Sequence, residues 1–145
     1  MAVKIVVLDG NAVHPEQGGW DFLNVYGEVT VYPYDVPEDL LLRCKDADIA
    51  LTNKVVFTQE SLAQLPKLKL IAVVATGYNV VDCTAARAQG ITVCNVPAYS
   101  TDSVAQMTWA HILQITNRVG YYAQCNREGR WSKSPNFCYC DFPIP

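Results

Sequence analysis

The chain has 145 residues, half of them hydrophobic and 17% charged, with a formal net charge of −3. That is ample apolar material for one folded domain with an appendage, and it argues against disorder. Lysines and arginines are scattered singly, which argues against a nucleic-acid footprint, and no apolar stretch approaches the roughly 18–20 residues that span a bilayer.

Met1 leads into an apolar run at residues 3–8 without a signal-peptide pattern, so the expected location is the cytoplasm. Similar runs rich in Val, Ile and Leu follow at 28–32, 48–52, 70–75 and 91–95. Runs apolar on both faces suit parallel strands covered above and below. Between them, Pro37 with Glu38 and Asp39 opens a helix reaching Cys44. Thr58 caps a helix over 59–64 that Pro66 ends, and Asp82 caps one over 83–89 with Gly90 in the left-handed position after it. The fold expected is α/β: a flavodoxin-like, doubly wound parallel sheet of about five strands, ordered 2-1-3-4-5 because right-handed crossovers leave few alternatives.

After Pro97 the pattern changes. Ser103 with Gln106 has the form of a capping box, and residues 104–119 read as a long helix apolar nearly all round. A 97-residue sheet domain cannot wrap such a helix, so a contact absent from a lone monomer is expected, and a homodimer would provide it. The segment 120–145 is aromatic and turn-rich with little periodicity, and its end, Phe142-Pro-Ile-Pro145, reads as an extended arm. The division expected is thus 1–97 for the sheet domain and 98–145 for helix and arm. Six cysteines, at 44, 83, 94, 125, 138 and 140, lack zinc-like spacing, so no metal site is expected. They read as reduced and mostly buried thiols.

The most informative stretch runs from the strand at 70–75 into Thr76-Gly77-Tyr78-Asn79. In open parallel sheets ligands bind beyond the carboxyl ends of strands. A glycine there lets backbone approach a ligand, and successive N–H groups can hold a carboxylate. The same turn also serves as a plain connection in any α/β protein.

Gly77, Asp82, Ala85, Ala86, Gly90, Ile91, Val93, Asn95, Pro97, Val104, Ala105 and Gln106 together carry a resemblance. The run resembles the D-isomer-specific 2-hydroxyacid dehydrogenases, most closely their glycerate dehydrogenase (hydroxypyruvate reductase) branch. Upstream, 48–55 ("DIALTNKV") and 65–70 ("LPKLKL") also fit. The resemblance implies hydride transfer between NAD or NADP and a small 2-hydroxyacid or 2-oxoacid. It places Thr76 and Gly77 at the substrate carboxylate, Asn53 and Lys54 across the cleft, and Val104 and Thr108 near the nicotinamide. Read from the residues alone, Lys54 is equally a solvated loop charge, and Val104 and Thr108 are helix packing.

His111, alone in an apolar stripe, reads as a packing residue and His14 as part of a loop, so no catalytic residue is expected in this chain. The resemblance also implies a cofactor loop, an arginine and a histidine–acid pair, and the 145 residues contain no G-x-G-x-x-G. The chain stops where the family's cofactor strand begins. The expectation is therefore a substrate-binding portion, catalytically incomplete alone and without tight cofactor binding. The alternative is a non-catalytic small-carboxylate-binding or dimerising module.

Overall fold

The computed structural model describes residues 2–13, 19–34 and 36–142. Five strands form one sheet: β1 (Lys4–Val7), β2 (Glu28–Val31), β3 (Ile49–Thr52), β4 (Leu70–Val73) and β5 (Thr92–Cys94). All neighbouring pairs are parallel and the order is β2-β1-β3-β4-β5, as the strand pattern predicts.

The crossovers carry α1 (Leu40–Cys44), α2 (Gln59–Leu62) and α3 (Cys83–Ala88). Pro37 opens a 3-10 turn, Pro37–Asp39, that leads into α1. Thr58 caps α2 in a reciprocal pair with Ser61, and the Asp82 carboxylate accepts from the Ala85 amide at 2.9 Å at the start of α3. Gly90 is left-handed at φ 74°, where a side chain would be strained.

Alternating strand residues send side chains to opposite faces. Val6, Leu8, Ala50, Ile71 and Val73 share one core with Leu40, Cys44, Leu62, Ala85 and Ala86 of α1–α3. Ile5, Val7 and Leu51 face the other way, and their cover comes from Trp20 and Leu23 around a 3-10 turn at Asp21–Val25, not from a helix. The reason is topological: β1 to β2 crosses in the opposite direction from the other three connections, so right-handed crossovers send it to the opposite face. Fully burying a side chain such as Ile71 or Leu62 is worth roughly 1.5–3 kcal/mol.

The chain divides into two compact units, Met1–Tyr99 and Ser100–Pro145. The second holds α4 (Thr101–Asn117), α5 (Val119–Arg127) and α6 (Arg130–Lys133). Three expectations need correcting here. Helix α4 starts two residues before Ser103, so Ser100, not Ser103, is its N-cap residue. It ends at Asn117 because Arg118 turns left-handed at φ 48°. The segment from 120 onward, expected to be turn-rich with little periodicity, holds α5 and α6, and the Phe142 ring packs on Tyr121 with centroids 5.2 Å apart. Arg130 pairs with Asp141 and stacks on Tyr139, its guanidinium 4.3 Å from the ring centre. Residues 143–145 and His14 lie outside the described residues.

None of α4 is buried: Val104, Met107, Trp109 and Ile115 are more than half exposed. His111 is exposed in this single chain, like the rest of α4. The thiols are free, but only Cys44 and Cys125 are buried, while Cys94, Cys138 and Cys140 are exposed. Burial pushes the Cys44 thiol up to about 12, so it is inert as a nucleophile at neutral pH. No helix among the described residues is long and apolar enough to cross a membrane.

Candidate functional site

The carboxyl edge of the sheet gathers the loops that follow β1, β3, β4 and β5. Parallel pairing makes this unavoidable, since every strand ends at the same edge. Thr52 is in register with Val73, and the Val74 amide donates to the Thr52 carbonyl at 2.8 Å. The loop holding Asn53 and Lys54 therefore leaves the sheet beside the one holding Thr76 and Gly77.

The turn after β4 is fixed from the β5 side. The Asn95 side-chain amide donates to the Thr76 carbonyl at 2.8 Å, and the Thr76 hydroxyl donates to the Val96 carbonyl at 3.2 Å. The Val96 amide donates to the Ala75 carbonyl at 3.0 Å. These bonds use carbonyls and the hydroxyl. The backbone amides of Thr76, Gly77 and Tyr78 donate to no acceptor among the described residues, and all three residues are exposed.

Consecutive exposed amides without internal acceptors are available to an anion, and hydrogen bonds to a carboxylate are stronger than those to a neutral oxygen. A Cβ added at Gly77 would meet only the Asn79 side-chain oxygen, at 3.4 Å. The glycine is thus not demanded by fold packing, and what its missing side chain leaves open is the approach to the turn. A groove of about 680 Å³ lined by Tyr78, Cys83, Arg87 and Asn95 runs on from the turn along β5.

Asn53 and Lys54 present a different arrangement. Their backbone amides are already taken by Asp9, whose carboxylate accepts from the Asn53 amide at 2.9 Å and the Lys54 amide at 2.6 Å. Only their side chains are open to a ligand, and neither makes a hydrogen bond or ion pair among the described residues. Asp9 and Asn95 are the two residues of this edge that the sequence reading left without a role. Asn95 stood in the motif only as part of a strand-and-hinge pattern. Asp9 gave one faint signal, a carboxylate directly after a run of four buried apolar residues.

Val104 and Thr108 lie in the second unit, one turn apart on α4. Val104 is exposed, and the Thr108 hydroxyl donates to the Val104 carbonyl at 2.8 Å within the helix. The pair offers an apolar surface and a hydroxyl already engaged, which suits contact with a flat ring and not capture of a phosphate. Among the described residues no group of three His, Cys, Asp or Glu could hold a metal ion.

Comparison with known proteins gives three findings. Residues 5–130 match the family "D-isomer specific 2-hydroxyacid dehydrogenase, catalytic domain". The hydroxypyruvate reductase of Blautia hydrogenotrophica is 40% identical over 145 residues, and the glycerate dehydrogenase of Methylorubrum extorquens is 40% identical over 147. These alignments cover 98% and 99% of this chain but 45% of each relative, so the chain spans about half the length of the curated relatives it matches. Among solved structures, D-lactate dehydrogenase from Aquifex aeolicus, complexed with NAD and lactic acid, superimposes with a TM-score of 0.69 at 24% identity. That match covers 94% of this chain and 40% of the other.

Proposed function

We infer function from one premise: this chain belongs to the D-isomer specific 2-hydroxyacid dehydrogenase family. The family consists of oxidoreductases acting on 2-hydroxyacids. Within it, we propose that residues 1–97 are the substrate-binding portion of a glycerate dehydrogenase or hydroxypyruvate reductase working in the cytoplasm. The observation that carries this reading is the set of unused amides at Thr76, Gly77 and Tyr78, beyond the carboxyl end of a strand flanked on both sides.

In this reading the turn holds the carboxylate of a small 2-oxoacid or 2-hydroxyacid. The Lys54 ammonium, on the adjacent loop, draws the anion in and adds to its hold. Asn95 fixes the Thr76 carbonyl, so the amides present themselves without reorganisation when the ligand arrives, and such preorganisation spares binding energy. The neighbouring Asn53 side chain has a donor and an acceptor for a hydroxyl or carbonyl oxygen.

The family's cofactor is NAD or NADP, and it supplies or accepts the hydride. The residues present fit it only in part. Val104, with Thr108 beside it, would contact the nicotinamide ring, whereas no Gly-rich phosphate loop occurs in the 145 residues. The proposal is accordingly that these residues bind and orient the acid, while tight cofactor binding and turnover require elements they do not contain. Residues 98–145 provide the connecting helix and, through the exposed apolar surface of α4, a homodimer contact.

Gly77→Val tests the reading. Valine adds bulk where the carboxylate approaches, while the turn has room for a Cβ at 3.4 Å from its nearest neighbour. The variant should keep its thermal midpoint within a few degrees and lose measurable binding of glyoxylate and D-glycerate. A folded Gly77→Val protein that binds as well as the parent removes the site from this turn.

A further inference from the structure

We propose that Asp9 is a positioning residue for the carboxylate site: its buried side chain holds the 53–54 loop so that the Lys54 ammonium stays beside the anion at residues 76–78. The proposal rests on the reading of that turn given above and adds to it the element that places its cation.

Asp9 and Thr52 are the two buried polar side chains among the described residues, exposed by 4% and 0%. Burying a carboxylate is unfavourable unless hydrogen bonds replace its water. Here both oxygens accept from the Asn53 amide at 2.9 Å, and one also accepts from the Lys54 amide at 2.6 Å. Thr52 fixes the other side of the same loop. Its hydroxyl accepts from the Val55 amide at 3.0 Å and donates to the Val55 carbonyl at 3.4 Å.

The loop is therefore pinned at its backbone on both sides of Asn53 and Lys54, while their side chains are left without partners among the described residues. A connection needed only to join β3 to α2 could be closed by its own backbone and Thr52, without a desolvated charge from the loop after the neighbouring strand β1. A connection that must keep one lysine beside the neighbouring turn has a use for that charge. The register of β3 and β4 puts that turn next door.

The charge of Asp9 and its geometry make opposite predictions, which lets an experiment separate them. As a bare negative charge near an anion site, Asp9 should weaken binding, so removing it should tighten binding. As a positioning group it should do the reverse. Glyoxylate affinity is measured by amide-resolved NMR titration of the parent, Asp9→Asn, Lys54→Met and the double variant. Lys54→Met should weaken binding about two- to fivefold, the scale of an exposed ion pair. Asp9→Asn should weaken it by a similar factor, and the double variant should be no weaker than either single one, because both remove the same contribution.

Unchanged or tighter binding by Asp9→Asn overturns the proposal, and so do losses that multiply in the double variant. If Asp9→Asn does not fold, the parent decides: the Lys54 side-chain signals should move with the turn amides on adding glyoxylate, and their standing still overturns the proposal. A different failure belongs to the functional reading itself. If glyoxylate moves no amide of residues 76–78 in the parent, there is no site there for Asp9 to serve.

Discussion

Asn95→Ala removes the side-chain bond that holds the Thr76 carbonyl, at 2.8 Å, and leaves two others between the turn and the β5 side. The freed carbonyl is at the surface and regains water, so the stability loss should sit at the low end for a hydrogen bond, about 0.5–1 kcal/mol. For a domain of this size that corresponds to a midpoint lowered by roughly 2–8 °C. The effect on binding has a different origin. A small carboxylate held by two or three amides, with water competing, should bind at about the millimolar level, near −4 kcal/mol. If the amides must first be brought into line, about 0.5–1 kcal/mol is lost again, a two- to fivefold weaker affinity. Asn95→Asp should do worse, since it sets an acceptor against the Thr76 carbonyl and adds a negative charge beside the anion. Thermal unfolding and glyoxylate titration of both variants supply the measurements. An Asn95→Ala protein with a lowered midpoint and the parent's affinity would refute the idea that this bond prepares the turn.

Other outcomes follow from the same structure. Leu62→Ala, at a fully buried position of α2, should lower stability by about 2–5 kcal/mol in urea unfolding without changing the carboxyl edge. In the second unit, the Arg130 hydrogen bond and then that of Tyr121 hold the Asp141 carboxyl below the usual range, and the Tyr121 hydroxyl is pushed up to about 12, chiefly by Asp141. A carboxyl depressed on folding stabilises above its unfolded value, near pH 4, and that contribution is lost as pH falls through the native value. The aromatic near-ultraviolet signal should thus hold steady down to about pH 4 and fall below it, and Asp141→Asn should abolish the step. The apolar side chains exposed along α4 should make the chain associate, so sedimentation showing a dilution-independent monomer would count against the dimer contact.

The sheet was legible because its strands are buried runs whose period and β-branched content survive without context, and because parallel crossovers admit few orders. Thr58 and Asp82 announced their helix starts through side-chain hydrogen bonds that act within three residues, and Gly90 its helix end through a left-handed backbone that glycine favours. The second unit was harder to read. Helix α5 holds one buried residue, Cys125, and so shows no apolar period, and its start depends on Arg118 adopting a left-handed backbone that favours glycine. Ser103 satisfied the capping pattern, yet Ser100 stands at the helix start, since several polar residues in a row compete for that role. The buried partner of the 53–54 loop lies 44 residues away in sequence, and no local pattern announces a hydrogen bond of that range. Thr76 and Gly77 could be singled out from a glycine turn after a buried strand, but that their amides are free while those of Asn53 and Lys54 are taken is a fact of three-dimensional bookkeeping.

The most direct test of the account follows every backbone amide of the chain by NMR while glyoxylate or D-glycerate is added. Binding should be weak, in the millimolar range or beyond, and the shifts should concentrate on Thr76, Gly77 and Tyr78, with smaller movements at Asn53 and Lys54. Shifts clustered on α4, along the groove beside β5, or nowhere would contradict the assignment of this turn as the carboxylate site.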